Sequence, residues 1–415
     1  MLGDSVCSFS SFDVHLDHPE MEVAGMDISK TYTLSVAPRI VFGVGVVAQV
    51  GAEARRLGIT RPLVVTDRGL VQTDIPGQVT KSLDEAGLKW VLFSDVEPNP
   101  SIETVHKGLA LYAAQRCDGL VAVGGGSPID AAKAIGLLAT YGGDIREYFG
   151  ADKIKQPLPP LMAIPTTCGT GSEVTQFTVV TDTAAHFKMG IGSPHNIPKV
   201  AIVDPSLLAK LPSKMVASTG MDALCHAIES YTSQAAQPLS DAFSLHAIQM
   251  IGRHLRPAVA NGNPADLSGM AMASMLAGLG FNNTRTTLVH AMSHAVTGHA
   301  QVPHGVANAI LVRYVMEFNL IGSPEKHADI ATALGEDTAG LSPIEAARLA
   351  VDAVRDLADD VGIPRNLREV GVTDTLVDSL ADGAMKATLG IALNPRRPTR
   401  QDVVALYRKA LVAGC

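Results

Sequence analysis

A parallel α/β half followed by an all-helical half is the architecture this chain predicts, and three observations carry the prediction. Short apolar runs alternate with helical patterns up to about residue 211, β-like runs stop from Ser213 onward, and 415 residues exceed what one hydrophobic core ordinarily supports. The expected division is an extension at residues 1–29, an α/β domain at 30–211 and a helical domain at 212–415.

The strand candidates, in order, are residues 62–67 (PLVVTD), 90–95 (WVLFSD), 119–126 (GLVAVGGG), 161–167 (LMAIPTT) and 200–204 (VAIVD). Each is bounded by Gly, Pro or Asp, and amphipathic stretches such as residues 101–114 separate them, which is the signature of βαβ units around a buried parallel sheet. Beyond a break near Leu211-Pro212, residues 239–256, 267–280 and 343–358 place apolar side chains at helical spacing.

Composition narrows the function. Hydrophobic residues make up 47% and charged residues 18%, enough to build a large core. A net charge of −8 disfavours nucleic acid and anionic membrane as partners, so a small molecule is expected. The five cysteines are scattered with no CxxC pair, which fits a reducing, cytoplasmic setting. No apolar run approaches the roughly 18 residues that span a bilayer. Residues 1–29 lack the basic start and apolar core of a signal or transit peptide and read as a loosely held extension.

Three loops suggest an anion site. Gly124, Gly125 and Gly126 follow a buried strand, with Ser127 as the expected helix cap and Pro128 at the first helical position. Backbone N–H groups and the helix N-terminus would then face a pyrophosphate, although a plain strand-to-helix turn has the same outline. Asp67 ends the strand at 62–67, where a carboxylate accepts from an adenosine ribose and repels a 2′-phosphate, favouring NAD over NADP; a turn-capping Asp is the alternative. The third loop, residues 165–175 (PTTCGTGSEVT), is rich in hydroxyls suited to ribose and phosphate.

A metal site is the second theme. Asp222 and His226 stand four residues apart on one helical face, His290 and His294 repeat that spacing, and His304 lies past a loop expected to be broken by Gly298 and Pro303. One carboxylate with several imidazoles suits Zn²⁺ or Fe²⁺, whereas His246, His254 and His327 read as core histidines. Cys168 reads as structural, and Arg285 either holds an anionic substrate or pairs within the fold.

GGGSPID, PTTCGTGSEVT, TGMDALCHAIESY, HAMSH, VPHGVANAI and NPRRPTRQDVVALY occur in an order and spacing that resemble the iron-containing (group III) alcohol dehydrogenase family, from about Tyr32 to the end. The resemblance implies a nucleotide-binding α/β domain, a helical domain and an active site between them, the fold also seen in dehydroquinate synthase-like proteins. It implies NAD, one divalent ion (Fe²⁺ first, Zn²⁺ as the alternative), a small alcohol or aldehyde as substrate, and at least a dimer. Carried over by residue, it makes Asp222, His226, His290 and His304 metal ligands and puts His294 beside them as a proton relay. It gives Asp67, Gly125, Gly126, Ser127, Thr166, Thr167, Thr170 and Lys188 to the cofactor, and Phe281 to the substrate pocket.

The sequence departs from the family pattern at Cys168, at Thr287 near a usual Gly, at Ala295 in place of Pro, and at Arg313-Tyr314 in place of Pro-His. Other readings are a glycerol-dehydrogenase-like polyol oxidoreductase, a metallohydrolase with a phosphate-binding loop, and a nucleotide sensor without turnover.

Overall fold

The computed structural model describes residues 31–35, 38–185, 187–300 and 302–412; the extension expected at residues 1–29 lies outside them. Residues 31–33 belong to a unit of their own and carry no regular secondary structure.

The first half of the chain is built on a six-stranded sheet of β1 (Arg39–Phe42), β2 (Pro62–Asp67), β3 (Val91–Val96), β4 (Gly119–Gly124), β6 (Leu161–Pro165) and β9 (Val200–Val203), the last two being numbered around a smaller sheet. The order is β1-β9-β6-β4-β2-β3, and every neighbouring pair is parallel. Period-two alternation sends Leu63, Val65, Leu120 and Ala122 into the core on one face, and Val64, Val121 and Val123 into the core on the other. Both faces are covered, which is why these strands read as unbroken apolar runs. The smaller sheet has β5 (Gly150–Ala151), β7 (Phe177–Asp182) and β8 (Phe187–Gly192) in the order β5-β8-β7, with β7 and β8 antiparallel.

Among the described residues five α-helices belong to this half: α1 (Val50–Arg56), α2 (Arg68–Val71), α3 (Ile75–Glu85), α4 (Ile102–Ala114) and α5 (Gly126–Tyr141). From β2 the chain moves outward to β3, whereas from β4 it moves the other way to β6 and β9. The crevice at the C-terminal ends of β2 and β4 is therefore a topological switch point, where open α/β sheets bind ligands.

After Pro212 the chain is helical: α6 (Ser213–Thr232), α7 (Pro238–Asn261), α8 (Pro264–Thr284), α9 (Leu288–Ala300), α10 (His304–Asn319), α11 (Pro324–Leu334), α12 (Pro343–Asp360), α13 (Val377–Met385), α14 (Thr388–Leu393) and α15 (Arg400–Leu411). Helix α6 is buried from Gly220 to Thr232, and a helix covered all round lies in the middle of a core rather than on its surface. Cys168 and Val174 of the third loop pack into the same core as Met221 and Leu224 of α6, so the loop is anchored on the helical half. Gly298 lies inside α9 rather than in a loop: the apolar periodicity of residues 288–300 outweighs one glycine. No helix of the described residues is long and apolar enough to cross a membrane.

Candidate active site

Asp67 and Gly124 end adjacent strands at the switch point. Gly124 has φ +150°, and a Cβ on it would stand 2.5 Å from Pro128 Cγ, so glycine is required for the turn into α5. The third loop lies against this turn: Thr166 N donates to Gly124 O at 3.0 Å, and the Thr167 and Thr170 side chains face Gly125 and Gly126. Gly125, Gly126, Thr166, Thr167 and Thr170 thus meet around one helix N-terminus.

Ser127 does not cap that helix. Gly125 is the N-cap, and the Ser127 hydroxyl, two residues further on, accepts from Asn99 N at 3.2 Å. Asn99, which sequence reading passed over, also accepts from Lys188 Nζ at 2.8 Å, joining two expected cofactor residues. Its signal was the Pro-Asn-Pro turn, where the chain needs φ +57° at Asn99. Asp67 uses one oxygen to accept from Leu70 N at 2.8 Å, so it caps α2; among the described residues its second oxygen makes no such bond.

Beneath the loop lies a buried polar cluster. Lys133, 1% exposed, spends all three ammonium protons on Ser172 Oγ, Thr175 O and Phe177 O. Asp130 accepts from Ser172 Oγ and Val179 N. Burial lowers the Lys133 ammonium to about 8 and raises the Glu173 carboxyl to about 7. The spacing of Asp130 and Lys133 in α5 was readable; their burial was not.

The second group forms where α6, α9 and α10 converge. Gly305 permits the approach of α10: a Cβ there would be 2.4 Å from Ser218 O of α6. Ligand atoms of Asp222, His226 and His290, all buried, lie within 4.8 Å of one another. His304 Nε2 lies 3.9 Å from Asp222 Oδ1, the same distance as His290 Nε2. His226 Nδ1 faces Gly169 O at 3.2 Å, and His290 Nδ1 donates to Glu229, which leaves each Nε2 lone pair pointing inward. Glu229 also accepts from Val289 N at 2.6 Å and Thr287 Oγ1 at 2.9 Å.

The donor set can be tested against a cation. Asn308 Nδ2 lies 2.6 Å from Asp222 Oδ1 and 3.2 Å from both His290 Nε2 and His304 Nε2. Three acceptors converge on an amino group that carries two protons, while His304 Nδ1 and Asn308 Oδ1 are buried without partners. Convergent lone pairs in a dry site are what a divalent ion satisfies, so the residues fit one. Burial depresses the His226 imidazole to about 4 and pushes that of His304 well down, keeping both neutral as ligands must be. For His290 burial acts downward, but the Glu229 carboxylate reverses the net direction.

His294 differs from these four. Its ring is exposed, makes no hydrogen bond among the described residues, and stacks on His304 with centroids 5.0 Å apart. Burial and the neighbouring histidines lower it to about 3. Although protein atoms crowd the ring, solvent reaches it, as expected for a cleft wall. Phe281 stacks on His226 at 4.3 Å and is buried. Glu229 and Asn308 escaped the sequence reading, although Glu229 is seven residues past Asp222 and Asn308 four past His304, each on the same helical face as that residue.

A nucleotide-type switch point beside a carboxylate–imidazole cluster is matched by two family models. That for iron-containing alcohol dehydrogenase covers residues 37–205, and that for the C-terminal part of the same family covers 216–411. This chain belongs to the iron-containing alcohol dehydrogenase family. Among its relatives are the 1,3-propanediol dehydrogenase of Klebsiella pneumoniae, 44% identical over 89% of this chain and 96% of that one, and the NAD-dependent methanol dehydrogenase of Bacillus methanolicus, 41% identical over 91% and 99%. A crystal structure of 1,3-propanediol oxidoreductase superposes with a TM-score of 0.90 at 43% identity, covering 92% of this chain and all of that one. The enzyme is an NAD-dependent oxidoreductase of alcohols and aldehydes that uses a metal ion, and the hydrolase and sensor readings are set aside.

Proposed function

We propose that the enzyme interconverts a short primary alcohol and its aldehyde with NAD(H) at the cluster of Asp222, His226, His290 and His304, in the cytoplasm and as at least a dimer. The carrying observation is the convergence of the buried ligand atoms of Asp222, His226 and His290, from α6 and α9, within 4.8 Å of one another, with His304 Nε2 of α10 3.9 Å from Asp222 Oδ1. The alcohols for which these relatives are named, 1,3-propanediol and methanol, support a small primary alcohol.

In this reading Asp222, His226, His290 and His304 hold an Fe²⁺ or Zn²⁺ ion, which when bound supplies Lewis acidity toward the substrate oxygen. Gly125, Gly126 and the N-terminus of α5 bind the pyrophosphate of the dinucleotide, which supplies the hydride acceptor or donor. Asp67 accepts from an adenosine ribose hydroxyl with its free oxygen, and Ser127, Thr166, Thr167, Thr170 and Lys188 complete the cofactor's polar contacts. Phe281 excludes water and presents an apolar wall to the substrate. His294, neutral and facing the cleft, passes a proton between the substrate oxygen and solvent through its two ring nitrogens.

The test is an anaerobic assay of protein loaded separately with Fe²⁺ and Zn²⁺, following NADH absorbance against primary alcohols, diols, hydroxy acids and their aldehydes. Metal-dependent turnover is expected, and His290→Ala should lose both metal retention and turnover. Normal activity in that variant would overturn the ligand assignment.

A further inference from the structure

Arg285 ends α8 with φ 68° and ψ 168°, a backbone region essentially reserved for glycine. Holding a Cβ there strains the backbone, so the position carries a large side chain at the expense of stability. That side chain is half-buried and lies over the Phe177 ring with its central carbon 4.7 Å from the centroid. Gly192 makes room for it: a Cβ there would come within 3.0 Å of Arg285 Nη1. Among the described residues no carboxylate lies within 4.0 Å of the guanidinium and none of its nitrogens has a hydrogen-bond acceptor; Asp152 acts on it only from farther away. Five N–H donors in a seated, partly desolvated fork are left to find a partner.

The cradle leads to the reacting centre. Phe177 stacks on Phe281 with centroids 6.0 Å apart, and Phe281 stacks on the metal-ligand candidate His226 at 4.3 Å. One apolar column therefore runs from the cation to the cluster, with a charge at one end and the chemistry at the other. Within the described residues Arg285 is held by the Phe177 ring and the more distant Asp152 charge, with no hydrogen-bonded ion pair of its own.

We infer that Arg285 binds the carboxylate of a hydroxy acid, or of the corresponding semialdehyde, whose carbinol or carbonyl end lies at the Asp222–His226–His290 cluster. This rests on the dehydrogenase reading above. Planar bidentate pairing suits guanidinium to carboxylate, and the Phe177–Phe281 wall suits an aliphatic chain between the two ends. A site built to pair a polar group rejects analogues that lack it more strongly than an apolar pocket rejects an extra methylene.

The experiment compares straight-chain aldehydes ending in a carboxylate with the same chains ending in methyl, using the Fe²⁺-loaded enzyme and NADH. At one chain length the carboxylate should raise kcat/KM by about tenfold or more. Arg285→Gln and Arg285→Gly should both lose that preference, and Arg285→Gly should unfold at an equal or higher temperature because glycine relieves the backbone. Turnover of the neutral series without a carboxylate preference at any length would overturn the inference alone, as would a preference retained in Arg285→Gly. Failure of both series despite bound metal and NADH would overturn the dehydrogenase reading on which it stands.

Discussion

Glu229 and His290 are joined side chain to side chain in the buried heart of the helical half, Glu229 holding the proton on His290 Nδ1. The same carboxylate accepts from Val289 N and Thr287 Oγ1, so it ties the start of α9 to α6. Thr287 stands near a position where the family usually has glycine, and its hydroxyl adds a bond that glycine would lack.

Glu229→Gln should lower metal affinity by about 10- to 100-fold, because the partner that orients His290 and makes its Nε2 more basic is weakened. Thr287→Ala, which removes one of the supporting bonds, should have a smaller effect in the same direction. Competition with a chromophoric chelator measures both. Unchanged affinity in Glu229→Gln would mean that the carboxylate serves only the fold.

Asp67 carries a cap and a proposed selector role at once, and one variant separates them. Asp67→Ala should cost about 1 kcal/mol through the lost bond to Leu70 N, measured by urea unfolding. It should also raise the ratio of NADPH to NADH kcat/KM by about tenfold, as a negative charge near the 2′-phosphate disappears. A loss of stability with the ratio unchanged would leave Asp67 as a cap alone.

Lys133→Met should destabilise the protein by about 3–5 kcal/mol, since it leaves Asp130 and the carbonyls of Thr175 and Phe177 buried without their cation. The KM for NADH should rise too, because the segment released adjoins Thr170. In a double-mutant cycle with Asp130→Asn the two losses should fall short of additive. Strict additivity would show that the pair is not energetically coupled.

Glu173 offers a pH test on a group outside the proposed metal-ligand set. Burial raises its carboxyl to about 7, so the folded state holds that proton more tightly than the unfolded chain. Its contribution is fully present below the unfolded carboxyl range and is lost as pH rises through about 7. The Tm of metal-free Glu173→Gln relative to wild type should therefore climb between pH 5 and pH 8. A flat difference across that window would refute the shift.

The amino-acid sequence was enough for the parallel strands β2, β3, β4, β6 and β9 and for the long helices, because buried strands and amphipathic helices leave apolar periods that survive in one dimension. It also named the loop glycines and the Asp222–His226 and His290–His294 pairs, since residues four apart on a helix must share a face. It missed β1 and the β7–β8 hairpin, and it set Ser127 as a cap where the turn at Gly125 serves instead. What brings Asp222 and His226 to His290 and His304 is the packing of α6, α9 and α10, permitted at Gly305 by a missing Cβ. Tertiary structure likewise made Glu229 a partner of His290 and seated Arg285 over Phe177, because contacts between elements distant in sequence are decided by how faces pack, and no local pattern encodes them.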